Sequence, residues 1–351
     1  MKKDAIIITN GYLKSGDAKT AHGLIRGSER FHVVGVIDPQ YSGQDAGEIL
    51  DGQFRGIPVR SSAAEFADQI QRGSTHAIIG VALHGGQLPD DWRETISETL
   101  VHGMIIVNGL HQPIGDDLEF MKIAGKNGAS ILDIRTPPAF NRLHHWSGDI
   151  FNVKAATIAV LGMDCAIGKR TTCRFLLEIC RQNGIRTEMI YTGQTGWMQG
   201  YPYGFILDAT PNDFVPGEIE HAIVTCDRER LPELILVEGQ SSLRNPFGPC
   251  GSEFLISGNV KGVILQHVPF RSCFEDLEEL GCRLPPVEDE IKLIEMYGAQ
   301  TLAVTLNGDG GTSEDLIKCQ RELSRRLEMP VVRPLEEGVE TLLGTIRQYM
   351  A

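Results

Sequence analysis

Cysteine is missing from the first 164 residues of this 351-residue chain; all eight cysteines lie between Cys165 and Cys319. No two of them make a Cys-x-x-Cys pair or take a metal-type spacing with histidine, so no metal site is expected and the thiols read as reduced and mostly buried. No apolar run approaches the roughly 18 residues that a membrane span needs. The opening MKKDAIIITNG has two lysines but lacks the cleavage site of a signal peptide, so a cytoplasmic protein without a membrane partner is expected. Positive charge is also short. A net charge of −13 repels nucleic acid and anionic lipid over most of the surface. Any anionic ligand must therefore be caught by a local basic pocket. Internal repeats and low-complexity segments are absent as well.

What is present is an ordinary globular composition, 42% hydrophobic, in a chain long enough for two domains. The first 135 residues repeat apolar strand, glycine turn and amphipathic helix: AIIIT, FHVVGVID, THAIIGVA, MIIVNGL and SILDIR alternate with helical stretches such as DWRETISETLVHG. That grammar predicts a parallel sheet with helices on both faces, a Rossmann-like domain. Its strand ends carry Thr9-Asn10-Gly11, His84-Gly85-Gly86 and Asn108-Gly109-Leu110-His111. These are either a ligand edge or merely tight turns. Asp38 closes the second strand where a dinucleotide fold puts its ribose acid, but the first turn has no GxGxxG, which argues against nicotinamide binding. Pro137-Pro138 interrupts the pattern, and a boundary near 150 is expected. The predicted fold class is α/β, with a Rossmann-like N-terminal domain over 1–150 and a P-loop NTPase-like parallel-sheet domain over 151–351.

The second half holds AVLGMDCAIGKRTTC, strand, glycine loop, lysine and helix in the order that makes a phosphate loop credible. Backbone N–H groups of residues 164–170 are expected to face an anion, with Lys169 adding a full charge. Two features depart from the usual GxxxxGK[ST]: Gly162 stands one residue early before Gly168, and Arg170 follows Lys169 where Ser or Thr holds magnesium. One residue along a helix is a rotation of about 100°, so Thr171 does not reach that place. Arg170 instead adds a second cation suited to phosphate oxygens. The cofactor-binding candidates are Gly162, Asp164, Gly168, Lys169, Arg170, Thr171 and Thr172.

Further strand ends supply Thr192, Gln194 and Thr195 in YTGQTGW, which either orient a carboxylate or cap a turn. Asp208, Asp213 and Glu218 in DATPNDFVPGEIE either meet a substrate amine or cap a helix. Glu238 ends LILVEGQSSL and is either a functional acid or a buried partner of Lys169.

The early first glycine, the Asp-x-x-x-Gly-Lys pattern and the Val-Glu-Gly strand resemble the dethiobiotin synthetase branch of P-loop proteins, in which that glutamate approaches metal and phosphates. Over nearly the whole chain, DAKTAHGLIR, GMDCAIGKRTT, YTGQTGW, DFVPGEIE and LVEGQSSLRNP resemble a two-domain bacterial and archaeal family long known only as a domain of unknown function. Its members are associated with N-acetylation of D-glutamate. The resemblance implies acetyl-CoA as co-substrate, a small-molecule amino acid as the acceptor, and Glu238 as base with Asp208 or Asp213 in reserve. Arg244 and Arg271 then hold the substrate carboxylates, unless each is an ion-pair residue. The alternatives are a magnesium- and ATP-dependent ligase or kinase and a non-catalytic nucleotide-binding regulator. A homo-oligomer is the expected assembly.

Overall fold

Strands that read as unbroken apolar runs suit a sheet covered on both faces, and residues 5–8 and 234–237 are each fully buried. The computed structural model describes residues 2–351, with His84 described by its backbone alone. Chain contacts divide it into two units, Met1–Pro137 with Gln194–Tyr201, and Pro138–Gly193 with Pro202–Ala351.

The first unit contains β1 (Lys3–Ile8), α1 (Lys19–Ile25), β2 (Phe31–Ile37), α2 (Ala46–Asp51), β3 (Val59–Arg60), β4 (His76–Ile79), α3 (Arg93–Val101), β5 (Ile105–Asn108), α4 (Leu118–Asn127) and β6 (Ser130–Asp133). Its six strands are all parallel in the order β3-β2-β1-β4-β5-β6, the Rossmann-like arrangement. The fully buried Trp92, Phe66 and Phe120 fill the space between sheet and helices.

The second unit contains β7 (Ala156–Gly162), α5 (Lys169–Gln182) and β8 (Thr187–Tyr191). The chain then contributes α6 (Gln194–Gln199) to the first unit before returning to β9 (Tyr203–Gly204), α7 (Val215–Arg230) and β10 (Leu234–Glu238). There follow α8 (Ser252–Ile256), β11 (Gly262–His267), α9 (Val287–Met296), β12 (Gln300–Leu306), α10 (Ser313–Leu327), β13 (Val331–Val332), α11 (Pro334–Glu337) and α12 (Leu343–Met350). The seven strands are parallel in the order β13-β12-β11-β7-β10-β8-β9. This places β7, the strand before the phosphate loop, between β10 and β11.

The stretch YTGQTGW is not simply a turn: after Gly193 it becomes α6, whose Met198 is fully buried in the first unit's core. Thr195 shares a 2.9 Å hydrogen bond with Thr20, and the Arg30 guanidinium stacks 4.0 Å over the Trp197 ring. A second device precedes β7. Glu218 accepts from the backbone N–H of His144 at 2.8 Å, and Glu220 accepts from those of Ser147, Gly148 and Ile150. Glu218 thus straps the segment before β7 onto α7. The His144 and His221 rings stack at 3.6 Å on the same helix face. All eight cysteines are free thiols, and no helix is long and apolar enough to cross a membrane among the described residues.

Candidate active site

The phosphate loop is built where β7 stops at Gly162 and α5 begins at Lys169. Ala166 and Gly168 take positive φ values of 52° and 100°, which turn the backbone sharply enough to start the helix. α5 has no side-chain cap at its N-terminus, so its first N–H groups face the loop, where an anion is favoured. Gly162 is required by close approach: a Cβ there would lie 2.8 Å from the Lys169 Cδ. That passage lets Lys169 cross over the loop, where its ammonium donates to the carbonyls of Asp164 and, at 2.8 Å, Ser241.

Neighbouring strand ends hold this loop in shape. Asn307, just after β12, donates to the Ile167 carbonyl at 2.9 Å, and the Met163 N–H reaches the Gln266 carbonyl of β11. Asp164 is fully buried. One carboxylate oxygen accepts from Arg271 and from the Glu275 N–H, both at 2.8 Å, and the other from Asn245 at 3.1 Å. Arg271 also reaches Asp309 at 3.0 Å. Burial works against the guanidinium's charge, but the two acids outweigh it and hold its pKa above the ordinary value. Asp164 and Arg271, read from sequence as cofactor and substrate residues, therefore stand as a bolt that fixes the loop.

Glu238 ends β10 opposite Val160 of β7 and is 5% exposed. Its Oε2 accepts from the Thr192 N–H at 3.2 Å, while the Thr192 hydroxyl donates to the Glu238 carbonyl at 2.8 Å and accepts from Gln240 at 3.1 Å. Burial pushes the Glu238 carboxyl upward; Arg170 is the strongest opposing influence, followed by the Thr192 N–H and Lys169. The arginine after the phosphate-loop lysine thus sets its charge against a buried acid. Thr172, in contrast, turns into the interior, where its hydroxyl donates to Gln266 at 2.6 Å and Thr305 donates to the same oxygen at 2.7 Å. Thr171 is half-buried at the start of the helix.

The remaining candidates are spread out. Arg244 pairs with the buried Glu290 at 2.7 Å and keeps 34% of its side chain exposed. Asp208 and Asp213 are exposed in short turns, Leu207–Ala209 and Asn212–Phe214, the first tied to Thr192 by the Leu207 N–H. Gln194 and Thr195 lie in α6, in the first unit, whereas Thr192 lies in the second. Gln240, Asn245, Gln266 and Asn307 escaped sequence reasoning. They are neutral amides, common on surfaces, and only the adjacency of Gln240 to Glu238 offered a signal. Among the described residues no group of three or more His, Cys, Asp or Glu is arranged to hold a metal ion.

In the first unit the strand ends are largely occupied by their own turns. Fully buried Asp38 accepts from the Thr9 hydroxyl at 2.7 Å, the Leu13 N–H at 3.1 Å and the Gln40 N–H at 3.0 Å. Asn108 and Asp133 knit β5 to β6 in the same manner. A cleft of about 470 Å³ beside them is lined by Gly85, Gln87, His111 and Gln112.

Residues 144–343 match the family model described as "Domain of unknown function (DUF1611_C) P-loop domain", and residues 39–137 the one described as "Domain of unknown function (DUF1611_N) Rossmann-like domain". A D-glutamate N-acetyltransferase from Pseudoalteromonas sp. is 26% identical over 282 residues, covering 78% of this chain and 82% of that protein. Another from Tritonibacter scottomollicae is 25% identical over 285 residues, covering 78% and 81%. The crystal structure of a DUF1611 family protein from Anabaena variabilis superposes with a TM-score of 0.88 at 25% identity, covering 99% of this chain and all of that one.

Proposed function

The chain belongs to the DUF1611 family, and on that premise we propose that it is an N-acetyltransferase that moves the acetyl group of acetyl-CoA to the amine of a D-amino acid, D-glutamate first among them. The observation that carries the reading is a buried carboxyl with a raised pKa, Glu238, beside a phosphate loop armed with Lys169 and Arg170. Acetyl-CoA supplies an activated acyl group and a cluster of phosphates. The uncapped start of α5, the glycines at 162 and 168 and the two cations have the chemistry to grip those phosphates as static anions.

Acyl transfer to nitrogen needs a neutral amine. A carboxylate whose pKa has been lifted by burial is a stronger base than one in water, and Glu238 accepts the amine proton in this scheme. Arg170 opposes the lift and favours the ionised form that accepts the proton. Of the two candidate substrate cations, Arg244 is the better placed to meet a carboxylate, because Arg271 already bridges two acids. Asp208 and Asp213 remain the reserve bases.

A magnesium- and ATP-dependent ligase is the second reading, favoured by an acid at the end of the strand next to β7. Against it stands Arg170, a cation in the place directly after Lys169 where Ser or Thr holds magnesium. Mixing the protein with acetyl-CoA and D-glutamate should release coenzyme A thiol and form the N-acetyl product, with L-glutamate turned over more slowly. Phosphate release from ATP with magnesium, without thiol release from acetyl-CoA, would put the ligase first.

A further inference from the structure

Gly193, just after β8, is glycine for a reason that its own backbone does not supply. Its φ lies outside the left-handed region, but a Cβ built on it would stand 2.7 Å from Gln240 Nε2 and 4.0 Å from Glu238 Oε1. The amide and the carboxyl therefore lie together on the side of Gly193 that a side chain would occupy, and the missing side chain is what lets the amide approach. One N–H of Gln240 donates to the Thr192 hydroxyl at 3.1 Å. Its second N–H and its oxygen meet no partner among the described residues, and the side chain is half-buried.

The backbone under Gln240 is fixed from both sides. Gly239 donates to the Val160 carbonyl at 3.1 Å, and a Cβ there would come 2.3 Å from that oxygen, so the chain leaving β10 is pressed against β7. Ser241 takes a φ of 38°, in the left-handed region that serine seldom enters, and its carbonyl accepts from Lys169 at 2.8 Å. A glycine, a strained serine and the phosphate-loop lysine thus specify where one neutral amide stands. All of these residues belong to the second unit.

We propose that Gln240 is the oxyanion donor of the acyl transfer, an assignment that rests on the proposed acetyl transfer itself. The amine nitrogen bonds to the acetyl carbonyl carbon while Glu238 takes one of its protons, and the carbonyl electron pair moves onto oxygen. That oxygen and the attacking nitrogen share one carbon, so base and donor must face one small group, as Glu238 and Gln240 do beside Gly193. When the pair returns, the C–S bond breaks and the coenzyme A sulfur leaves with the proton held by Glu238. A neutral donor suits this place. A further cation beside Glu238 would favour its ionised form and make it a weaker base, whereas an amide stabilises the developing charge without that effect. The carboxylates of the acceptor carry full charges and are better met by a guanidinium.

Steady-state kinetics with acetyl-CoA and D-glutamate, beside calorimetry with coenzyme A, test the assignment. Gln240→Ala should lower kcat about 10²–10³-fold, the usual cost of one oxyanion donor, while KM for D-glutamate and Kd for coenzyme A change less than about three-fold, because the bond strengthens only in the transition state. The acid limb of the pH profile should stay in place, since the amide carries no charge. A brace acting only through Thr192 would give Gln240→Ala and Thr192→Val equal losses; an oxyanion donor makes the first loss about ten times the second or more. Gly193→Ala, whose methyl displaces the amide, should lower kcat in the wild-type background and add nothing to Gln240→Ala. A raised KM with kcat kept, equal losses for Gln240→Ala and Thr192→Val, or a Gly193→Ala effect of one size in both backgrounds overturns the assignment alone. A wild type that releases no thiol from acetyl-CoA in the presence of D-amino acids overturns the proposed function, and this assignment with it.

Discussion

Two buried carboxylates sit at strand ends of the two sheets, and their surroundings differ. Asp38 is fully buried in the first unit and accepts from Thr9, Leu13 and Gln40, so both of its oxygens are engaged. Glu238 is almost as buried, and its carboxylate accepts from the Thr192 N–H and is faced by the charges of Arg170 and Lys169. A carboxylate wrapped in donors fastens a turn. One whose burial outweighs the cations that face it has a lifted pKa, the condition of a carboxylate kept for proton transfer. The same βα grammar thus yields a fastened strand end in one unit and, on the proposed reading, a reactive one in the other.

Exchanging each acid for its amide should separate them most strongly. Glu238→Gln is expected to lower turnover by about 10²–10⁴-fold, the usual contribution of a general base, with Tm at neutral pH unchanged or higher. The sign follows from the raised pKa: the ionised form is the disfavoured one in the fold, so removing it does not weaken the native state at neutral pH. Asp38→Asn places an NH₂ group against donors and should cost about 1–3 kcal/mol of stability, read by denaturant titration, with turnover per folded molecule retained. A Glu238→Gln protein with full turnover, or an Asp38→Asn protein that is stable but inactive, would break the comparison.

The cations come next. Lys169→Ala should weaken coenzyme A binding by about 1.5–3 kcal/mol, roughly ten- to hundred-fold in Kd by calorimetry. Arg170→Gln should act on the acid itself. Removing the strongest opposing charge lets burial raise the Glu238 pKa further, so the acid limb of the kcat profile moves to higher pH. A shifted coenzyme A affinity with an unmoved acid limb would assign Arg170 to the phosphates alone.

Much of this fold was legible in the sequence because strands buried on both faces must read as apolar runs, and AIII and LILV do. The phosphate loop was legible because Gly162, Gly168 and Lys169 are forced by backbone geometry. What was not legible is long-range partnership. Asp164 looks like a ligand residue in its loop, and only the fold brings Arg271, Glu275 and Asn245 onto it, from 81 to 111 residues away. Thr172 shares its residue type with Thr171, but one helical step turns it inward to Gln266. Likewise Glu218 could cap its helix or meet an amine by sequence; the strap that occupies it lies 74 residues earlier.

The smallest expected effect tests the comparison at one stretch of chain, where Thr192 and Thr195 belong to different units. Thr195 is 3% exposed and shares its hydroxyl with Thr20, which is 1% exposed. Thr195→Val leaves the Thr20 hydroxyl buried without that partner, at a cost of about 1–3 kcal/mol, with no direct effect on an acid in the second unit. Thr192→Val keeps the N–H that faces Glu238 but deletes the hydroxyl that joins the Glu238 carbonyl to Gln240. Glu238 then loses a brace rather than its charge partners, and turnover should fall only about three- to ten-fold, a barrier change of roughly 1 kcal/mol. Measuring Tm and kcat for both variants gives opposite patterns: stability lost with turnover kept for Thr195→Val, turnover lowered with the greater part of stability kept for Thr192→Val. If Thr195→Val instead lowered kcat as much as Thr192→Val at a temperature well below its Tm, the helix lent to the first unit would be acting on Glu238, and the two strand ends would no longer be separable into scaffold and reactive halves.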